Sequence, residues 1–302
     1  MAWMEKMEKD TNGRVHFTAF WGGTLIQHIA SWSELLAGSA DISKIQPAFF
    51  KEQFPLFNLD SSMYYGAKND DVWFNANKEL RANYPQMDAE FKEAVFLAKY
   101  APLPASTYYT NVKRPLRTLE DFKGAMIRVV ALRDVGRIKA LGGSPQHIPV
   151  GDMYMAIQKG MIDGGIGPIE QLKGFKLAEV TRYYLNANDF NTGIGMPYMM
   201  NMKSWNNLPA DIQEVFIENR QWYEDRLRAT ALRINEEAIQ YTNEMGEHEW
   251  FTLSDEDQAK YDEITASVVL DIAQDADKKG LPGTKLLNEA QALVAKYNAE
   301  IK

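Results

Sequence analysis

Pro209 and Gly246 bound a stretch of the chain that contains no other proline or glycine. Pro209 suits the first turn of a helix, and apolar residues follow it at roughly helical spacing. These residues are Ile212, Val215, Phe216, Trp222, Leu227, Ile234, Ala238, Tyr241 and Met245. If the helix is continuous, it is roughly 55 Å long at 1.5 Å per residue. A single domain does not need such a helix, so the stretch predicts two domains with one helix running across both.

Short β-like runs alternate with helical patterns over the first two-thirds of the chain. Strands are predicted at 14–20, 40–46, 125–130, 145–149 and 162–166, and near 194–203. Helices are predicted at 24–38, 69–82, 133–141 and 151–160. This alternation indicates an α/β fold with largely parallel sheets. Thr118 with Asp121, and Ser254 with Asp257, match the spacing of a capping box at a helix start.

The composition excludes several classes of function. The net charge of −8 argues against a nucleic-acid partner, because phosphate binding needs a basic surface. No apolar stretch approaches the length of a membrane span, and the absence of cysteine excludes thiol catalysis and disulfides. The histidines show no metal-ligand spacing, at positions His16, His28, His147 and His248. No nucleotide-binding, hydrolase or metalloprotease motif is present, so no cofactor, metal or enzymatic activity is indicated.

Arg128 lies inside an apolar, β-branched run, GAMIRVV, that is typical of a buried strand. An unpaired buried guanidinium is costly, because it cannot lose its proton. Two interpretations remain open at this point. The arginine either pairs with an acidic residue or lies at an exposed strand end, or it points into the ligand-binding crevice of an open α/β sheet. Arg133 and Arg137, four residues apart on the next helix, are predicted to form a solvated face.

Several segments together carry a family resemblance. They are RPLRTLEDFKGAMIRVV, ALGGSPQHIPVGDMYMAIQKGMIDG, YYLNAND and MNMKSWNNLPADIQEVF, preceded by GRVHFTAFWGGTLIQ and ELLAGSADIS. Their order and spacing resemble those of the DctP-type extracytoplasmic solute receptors of TRAP transporters, over most of residues 1–240. The resemblance implies a periplasmic receptor without enzymatic activity, whose partners are a small carboxylate ligand and the TRAP permease subunits. Members of this family normally have one more strand before the first helix, and a signal peptide before that strand. From the resemblance we therefore expect that a signal peptide is removed and that one strand before Met1 is missing.

The resemblance implies a periplasmic-binding-protein-like fold of type II, with two α/β domains that close over a ligand. We expect domain I to comprise residues 1–108 and 195–233, and domain II residues 109–194 and 234–302. The long helix that spans both domains accounts for the stretch from Pro209 to Gly246. The tail at 253–302 is helix-rich and could mediate a dimer, although a monomer is expected.

The family motif implies that Arg128 clamps the carboxylate of the ligand. Gly167 replaces an asparagine that often helps to hold this group. Tyr108 stands where sialic-acid-type members carry a second arginine. Other expected contacts are Gln46 and His28 in the first domain, Val150 and Ala131 near the arginine, and Phe190 beside Asp189.

These departures from the family pattern predict the kind of ligand. The missing asparagine and second arginine remove polar donors, whereas a glycine opens space and a tyrosine adds an aromatic surface. A sugar acid needs many donors, since unpaired hydroxyl groups in a closed cleft are costly. We therefore expect a monocarboxylate with an aromatic or apolar body, such as an aromatic amino acid, an indolyl or aryl acid, or a keto acid. The alternatives are a sugar acid, a C4-dicarboxylate, or a receptor that feeds a signalling partner; an enzyme or a purely structural protein is less favoured.

Overall fold

The computed structural model describes residues 2–99, 106–129, 131–187 and 196–301. Its α-helices are α1 (Ala2–Asp10), α2 (Ser31–Ala37), α3 (Pro55–Asp60), α4 (Asp70–Asn83), α5 (Pro85–Ala89), α6 (Leu132–Ala140), α7 (Met153–Gln158), α8 (Gln171–Gly174), α9 (Met202–Asn206), α10 (Ala210–Glu218), α11 (Arg220–Met245), α12 (Asp255–Lys278) and α13 (Gly283–Glu300). Its strands are β1 (Ile42–Lys44), β2 (Ala94–Ala98), β3 (Ser106–Thr110), β4 (Met126–Arg128), β5 (Ser144–Gln146), β6 (Gly164–Pro168), β7 (Tyr183–Asn186), β8 (Tyr198–Asn201) and β9 (Glu249–Thr252). Short 3-10 turns precede α2 and α7, at His28–Ala30 and Val150–Asp152.

The chain divides into two compact units, each built from several chain segments. Unit 1 contains residues 1–57, 84–102 and 195–230, and unit 2 contains residues 58–83, 103–194 and 231–302. The border between them falls inside α11, between Thr230 and Ala231. The predicted domains differ from these units chiefly at 58–83, and their boundaries remain a prediction. The predicted two-domain α/β architecture with a long helix is confirmed.

The predicted single helix between Pro209 and Gly246 is interrupted at Asn219, between α10 and α11. The side-chain Nδ2 of Asn219 donates to the carbonyl oxygen of Val215 at 2.9 Å, alongside the backbone hydrogen bond from its own nitrogen at 3.2 Å. An asparagine side chain that competes for a backbone carbonyl in this way weakens a helix. The longer piece, α11, has 26 residues, which corresponds to about 39 Å.

Unit 1 contains a three-stranded sheet in the order β1-β8-β2. Both outer strands run antiparallel to β8, where Met200 is opposite Ile42 on one side and Val95 on the other. The expectation of a largely parallel sheet is therefore wrong in this unit, because the central strand arrives from a distant part of the chain and runs against both neighbours.

The predicted strand at 14–20 is also absent from the structure of unit 1. Val15 and Phe17 are half-buried and His16 is exposed, so the alternation in the sequence is real. Both apolar residues pack against the core cluster that contains Met7 of α1, and the rings of Trp3 and Phe17 are 5.1 Å apart. The alternation thus reflects packing on a helix rather than a hydrogen-bonded strand.

Unit 2 contains a six-stranded mixed sheet in the order β5-β4-β6-β3-β7-β9. The β4 strand is parallel to both β5 and β6, and β7 is parallel to β9, whereas β3 runs antiparallel to β6 and β7. One face carries a core that includes Ile127, Ile138 of α6 and Tyr261 of α12. The opposite face carries a second core that includes Tyr109, Met153 of α7 and Leu172 of α8.

The prediction of a solvated face at Arg133 and Arg137 is wrong, since these residues are 0% and 1% exposed. Arg133 Nη1 donates to the carbonyl oxygen of Tyr64 at 2.8 Å, and Arg137 Nη2 donates to Asp134 Oδ1 at 2.8 Å. Arg137 also donates to the hydroxyl of Tyr261. Segments that are remote in sequence, around residue 64 and in α12, cover this face of α6.

The C-terminal segment forms a helical pair, as its composition predicts. Helix α12 begins after Ser254, whose hydroxyl accepts from the backbone nitrogen of Asp257 at 3.2 Å. Helix α12 ends at Lys278 and α13 begins at Gly283, inside the LPGTK sequence at 281–285. A Cβ atom at Gly283 would lie 2.0 Å from the carbonyl oxygen of Ala273, so only glycine allows these two helices to pack this closely. The other predicted cap, Thr118 with Asp121, forms a complete capping box.

Candidate ligand-binding site

Arg128 is the last residue of β4, a strand enclosed by β5 and β6 in the interior of the unit 2 sheet. Its neighbours in register are Gln146 on β5 and Gly165 on β6. Ile127 belongs to the core shared with α6 and α12. Because successive side chains of a strand point to opposite faces, Arg128 points to the face covered by α7 and α8. Strand geometry thus places a cation at the carboxyl end of a buried strand.

The guanidinium of Arg128 is buried and forms no ion pair with a described acidic residue. The residue is 8% exposed, and within the described part of the chain its one hydrogen bond runs from Nε to the carbonyl oxygen of Ile148, at 3.1 Å. Burial lowers the pKa of Arg128, while Tyr109 and Asp134 act in the opposite direction. Since arginine stays protonated, the site holds a desolvated positive charge, which a carboxylate would stabilise. Asp134 acts on Arg128 only through its charge, and no described acidic side chain forms an ion pair with the guanidinium, so a structural ion pair is not favoured.

Tyr109 lies in the same row of the sheet as Arg128. Gly165 is in register with Arg128 on one side and with Tyr109 on the other. Residues in register across neighbouring strands present their side chains on the same face. Tyr109 is fully buried, and burial raises the pKa of its hydroxyl to about 12, so that it stays a neutral hydrogen-bond donor. It donates to Gln171 Oε1 at 3.1 Å.

Two glycines of β6 leave the space that these side chains occupy. A Cβ atom at Gly165 would lie 2.7 Å from Met153 Cε and 3.2 Å from Tyr109 Oη. A Cβ atom at Gly167 would lie 2.6 Å from Gln171 Oε1 and 3.3 Å from Tyr109 Oη. The structure thus shows that the predicted site residue Gly167 is next to a carboxamide that reaches over it from α8.

Tyr108 lies on the opposite face of the sheet from Tyr109. It is 1% exposed, its ring packs edge-on against Phe122 at 4.9 Å, and its hydroxyl lies 3.0 Å from that of Tyr261. This placement favours a role in the core that α6 and α12 cover. Contact between Tyr108 and a ligand stays a prediction, and the structure offers no observation in its favour.

Of the other predicted residues of unit 2, Ala131 follows three residues after Arg128, and Val150 comes two residues after Ile148, whose carbonyl oxygen accepts from Arg128. Ala131 caps the start of α6 and is 6% exposed. Val150 begins the 3-10 turn before α7 and packs against the core around Tyr109. Phe190 lies outside the described residues.

Unit 1 brings two predicted residues, His28 and Gln46, close to Lys44. His28 begins a 3-10 turn and its side chain is exposed to water, yet neighbouring atoms partly desolvate the imidazole, and this desolvation, followed by the charge of Lys44, lowers its pKa. Gln46 follows β1 and donates its backbone nitrogen to Ser31 Oγ at 3.1 Å. Its side-chain oxygen Oε1 is buried and has no hydrogen-bond partner in the described part of the chain. A buried acceptor of this kind suits a ligand that carries a donor group.

Sequence reasoning missed Tyr109, Gln171 and Lys44. The order of two adjacent tyrosines gives no sign of which one shares a face with Arg128, because that depends on strand register. Gln171 was missed since its proximity to Gly167 arises from the turn between β6 and α8. Among the described residues there is no cluster of three or more acidic or histidine side chains suited to a metal ion, and no helix is long and apolar enough to cross a membrane.

Comparison with known families decides the class of the protein. The family described as "Bacterial extracellular solute-binding protein, family 7" (DctP) matches residues 1–275. The chain belongs to this family. DctP proteins are the solute receptors of TRAP transporters, so the expectations of a periplasmic receptor and of a binding protein rather than an enzyme are confirmed.

Two curated relatives of this DctP-family receptor have names that refer to different classes of ligand. The monocarboxylate 2-oxoacid-binding periplasmic protein of Nostoc sp. is 24% identical over 217 residues, which cover 70% of this chain and 58% of the relative. The C4-dicarboxylate-binding periplasmic protein DctP of Rhodobacter capsulatus is 27% identical over 165 residues, which cover 54% of this chain and 49% of the relative. The matched stretches thus span about half of these relatives.

The fold of the receptor is shared over its whole length with a solved structure. A TRAP solute-binding protein from Rhodoferax ferrireducens, crystallised in complex with copurified benzoate, superimposes with a TM-score of 0.84 at 22% identity. The superposition covers 100% of this chain and 93% of the other. At this level of identity the likeness concerns the fold.

Proposed function

We propose that this protein is a TRAP-transporter receptor that captures a small organic acid and holds its carboxylate with Arg128. The observation that carries the proposal is a guanidinium 8% exposed, with no ion pair among the described residues. A carboxylate fits the planar fork of an arginine through two parallel hydrogen bonds. Each such charge-assisted bond contributes on the order of 1.5–3 kcal/mol.

The ligand we favour is a monocarboxylate with an aromatic or apolar body. Gly167 adds no polar group, and Val150 and Met153 give the face around Arg128 an apolar character. The Nostoc relative is named for monocarboxylate 2-oxoacids, and the Rhodoferax protein holds benzoate. Gln46, His28 and Ala131 are proposed to contribute further contacts, and Phe190 stays a prediction.

A C4-dicarboxylate is the second candidate, because one observation favours it. Lys44 lies near enough to the predicted contact His28 to lower the pKa of that residue, and its ammonium group has the charge that a carboxylate binds. The Rhodobacter relative is named for C4-dicarboxylates.

The proposed mechanism is capture by closure of the two domains. In this mechanism the open state is populated without ligand, and contacts from the ligand to both domains favour the closed state. The closed form then docks on the membrane subunits of the transporter. No cofactor takes part. A monomer is expected, since the helical tail at 253–302 packs within unit 2.

Native mass spectrometry of the purified protein, with identification of any released small molecule, tests the proposal. We expect a monomer with a copurified carboxylate, or an empty protein that binds members of a carboxylate panel in calorimetry. The panel contains benzoate, phenylpyruvate, indole-3-acetate, malate and galacturonate. Preference for malate or galacturonate would overturn the aromatic ligand but keep the receptor, and no binding at all would overturn the function.

Variants of two arginines make the test specific. Arg128→Ala is expected to lower affinity at least about 100-fold, because two charge-assisted hydrogen bonds are lost. Arg226→Ala removes an exposed guanidinium from α11 and is expected to leave affinity unchanged. Equal effects of the two substitutions would contradict a specific role for Arg128.

A further inference from the structure

Gln171 occupies a place that a side chain at Gly167 would otherwise fill. It is the first residue of α8, three residues after β6 ends at Pro168. A Cβ atom at Gly167 would lie 2.6 Å from Gln171 Oε1 and 3.2 Å from its Cδ. The carboxamide of Gln171 is therefore folded back over the backbone of β6, on the side of the strand to which a residue at 167 would point.

Tyr109 fixes the orientation of this carboxamide. Its hydroxyl donates to Gln171 Oε1 at 3.1 Å. The same hydroxyl oxygen is 3.7 Å from Met153 Sδ. Because Oε1 accepts from Tyr109, the Nε2 group of Gln171 keeps two donor hydrogens and faces away from that bond. Gln171 is half-buried, so these donors are within reach of a bound molecule.

Arg128 shares this face of the sheet. Gly165 separates Arg128 from Tyr109 in one row, and Tyr109 Oη lies 3.2 Å and 3.3 Å from the Cβ positions of Gly165 and Gly167. The hydroxyl group therefore lies over both glycines, and it joins the carboxamide beside Gly167 to the row of Gly165 that contains Arg128. A cation and an amide donor on one face form a composite site for a planar anion.

We propose that Gln171 is a specificity-determining residue whose Nε2 group donates a further hydrogen bond to the carboxylate held by Arg128, and that Tyr109 is a positioning residue for Gln171. This inference rests on the proposed function. In this proposal the amide donor of the site is Gln171 on α8. The absence of a side chain at Gly167 leaves room for its carboxamide.

Calorimetry on the intact protein tests the inference with the tightest-binding carboxylate of the panel, benzoate being the first probe. Gln171→Met keeps the length of the side chain and removes both donors, and we expect about 10- to 100-fold weaker binding. Gln171→Glu places a like charge beside the ligand, so we expect a greater loss at pH 8 that is partly recovered at pH 5. A merely structural role would not produce this pH dependence.

Two further tests distinguish a role of Tyr109 in positioning Gln171 from a role in packing alone. They are Tyr109→Phe and the transfer of an amide group from position 171 to position 167. Tyr109→Phe should weaken binding less than Gln171→Met, and the double variant should bind no more weakly than Gln171→Met, since the hydroxyl acts through the glutamine. In Gly167→Asn combined with Gln171→Ala, an amide returns to the same space, and we expect at least tenfold recovery over Gln171→Ala alone. Circular dichroism and thermal unfolding check that each variant is folded.

The outcomes separate the two proposals. If Arg128→Ala loses binding while Gln171→Met and Gln171→Glu stay within twofold of the wild type, the role of Gln171 is overturned and the function stands. Additive losses for Tyr109→Phe and Gln171→Met would overturn the positioning role of Tyr109. If the wild type binds no carboxylate of the panel, the proposed function itself fails.

Discussion

Tyr109 and Arg128 face each other across Gly165 on one face of the unit 2 sheet. Gly165 is in register with both residues, and a Cβ atom there would lie 3.2 Å from Tyr109 Oη. The two side chains also affect each other electrostatically, since each contributes to the pKa of the other. A glycine between them keeps a gap that a larger residue would narrow.

Alanine at Gly165 and at its neighbour Gly164 should have different effects. At Gly165 the added methyl group would be 2.7 Å from the mobile end of Met153. Met153 can move, so we expect a loss of about 1 kcal/mol in the free energy of unfolding. At Gly164 it would be 1.9 Å from the backbone oxygen of Tyr109. Backbone cannot move in this way, so we expect a loss of about 3 kcal/mol or more.

Urea unfolding of the two ligand-free variants measures this difference. Gly165→Ala should also weaken carboxylate binding, because the displaced Tyr109 no longer holds its place beside Arg128. Equal destabilisation by the two substitutions would show that the packing over β6 differs from that described.

The sequence was sufficient to predict the two-domain α/β architecture and to single out Arg128 as a buried cation, whose role in binding stays a prediction. Alternating strand and helix patterns indicate an α/β chain, and an arginine within a β-branched run indicates a buried charge with a special role. The faces of individual elements could not be predicted in the same way. A shift of one residue in register exchanges Tyr108 for Tyr109, and nothing local to the YYT sequence fixes that register.

Contacts from distant segments explain the remaining errors. Arg133 and Arg137 have the spacing of an exposed helix face, yet α12 and the segment around Tyr64 bury them. Val15 and Phe17 alternate like a strand because they pack on α1. In both places the local pattern is real, and the partner that decides its meaning lies elsewhere in the chain.

Tyr108→Phe should affect stability rather than binding. The substitution removes the hydroxyl that lies 3.0 Å from the hydroxyl of Tyr261 in a buried core. We expect a loss of about 1 kcal/mol in the free energy of unfolding, the usual net value of one hydrogen bond. Affinity for the carboxylate probe should stay within twofold of the wild type, in contrast to Tyr109→Phe. A tenfold loss of affinity with unchanged stability would instead identify Tyr108 as a ligand contact.

Asp134→Asn should destabilise unit 2 strongly. The carboxylate is 3% exposed, accepts from Arg137 Nη2 at 2.8 Å and lies 3.9 Å from Arg133 Nε. Removing its charge leaves two buried guanidinium groups without this counterion, so we expect a loss of about 3–5 kcal/mol. Asp271→Asn, at an exposed position of α12, should change the free energy of unfolding by less than about 0.5 kcal/mol. Chemical denaturation compares the two, and a similar small effect would contradict the proposed charge balance around α6.

The pKa of His28 should lie below the ordinary value for histidine. Partial burial and then the charge of Lys44 lower its pKa from 6.5. Because the unfolded-state pKa is the higher one, the unfolded chain binds the proton more readily. The stability linked to this residue is therefore present above pH 6.5 and is lost as the pH falls below it. Lys44→Met should raise the pKa of His28 but leave it below 6.5, since burial is the larger cause.

NMR titration of the imidazole protons measures this pKa, with His28→Gln identifying the signal. A value above 6.5 would contradict the described environment. The same titration bears on ligand binding. A histidine that is neutral at pH 7.5 can offer a carboxylate only a hydrogen bond, so affinity should not change between pH 7 and 8. A fall in affinity over that range, absent in His28→Gln, would instead show that the cationic form of His28 binds the ligand.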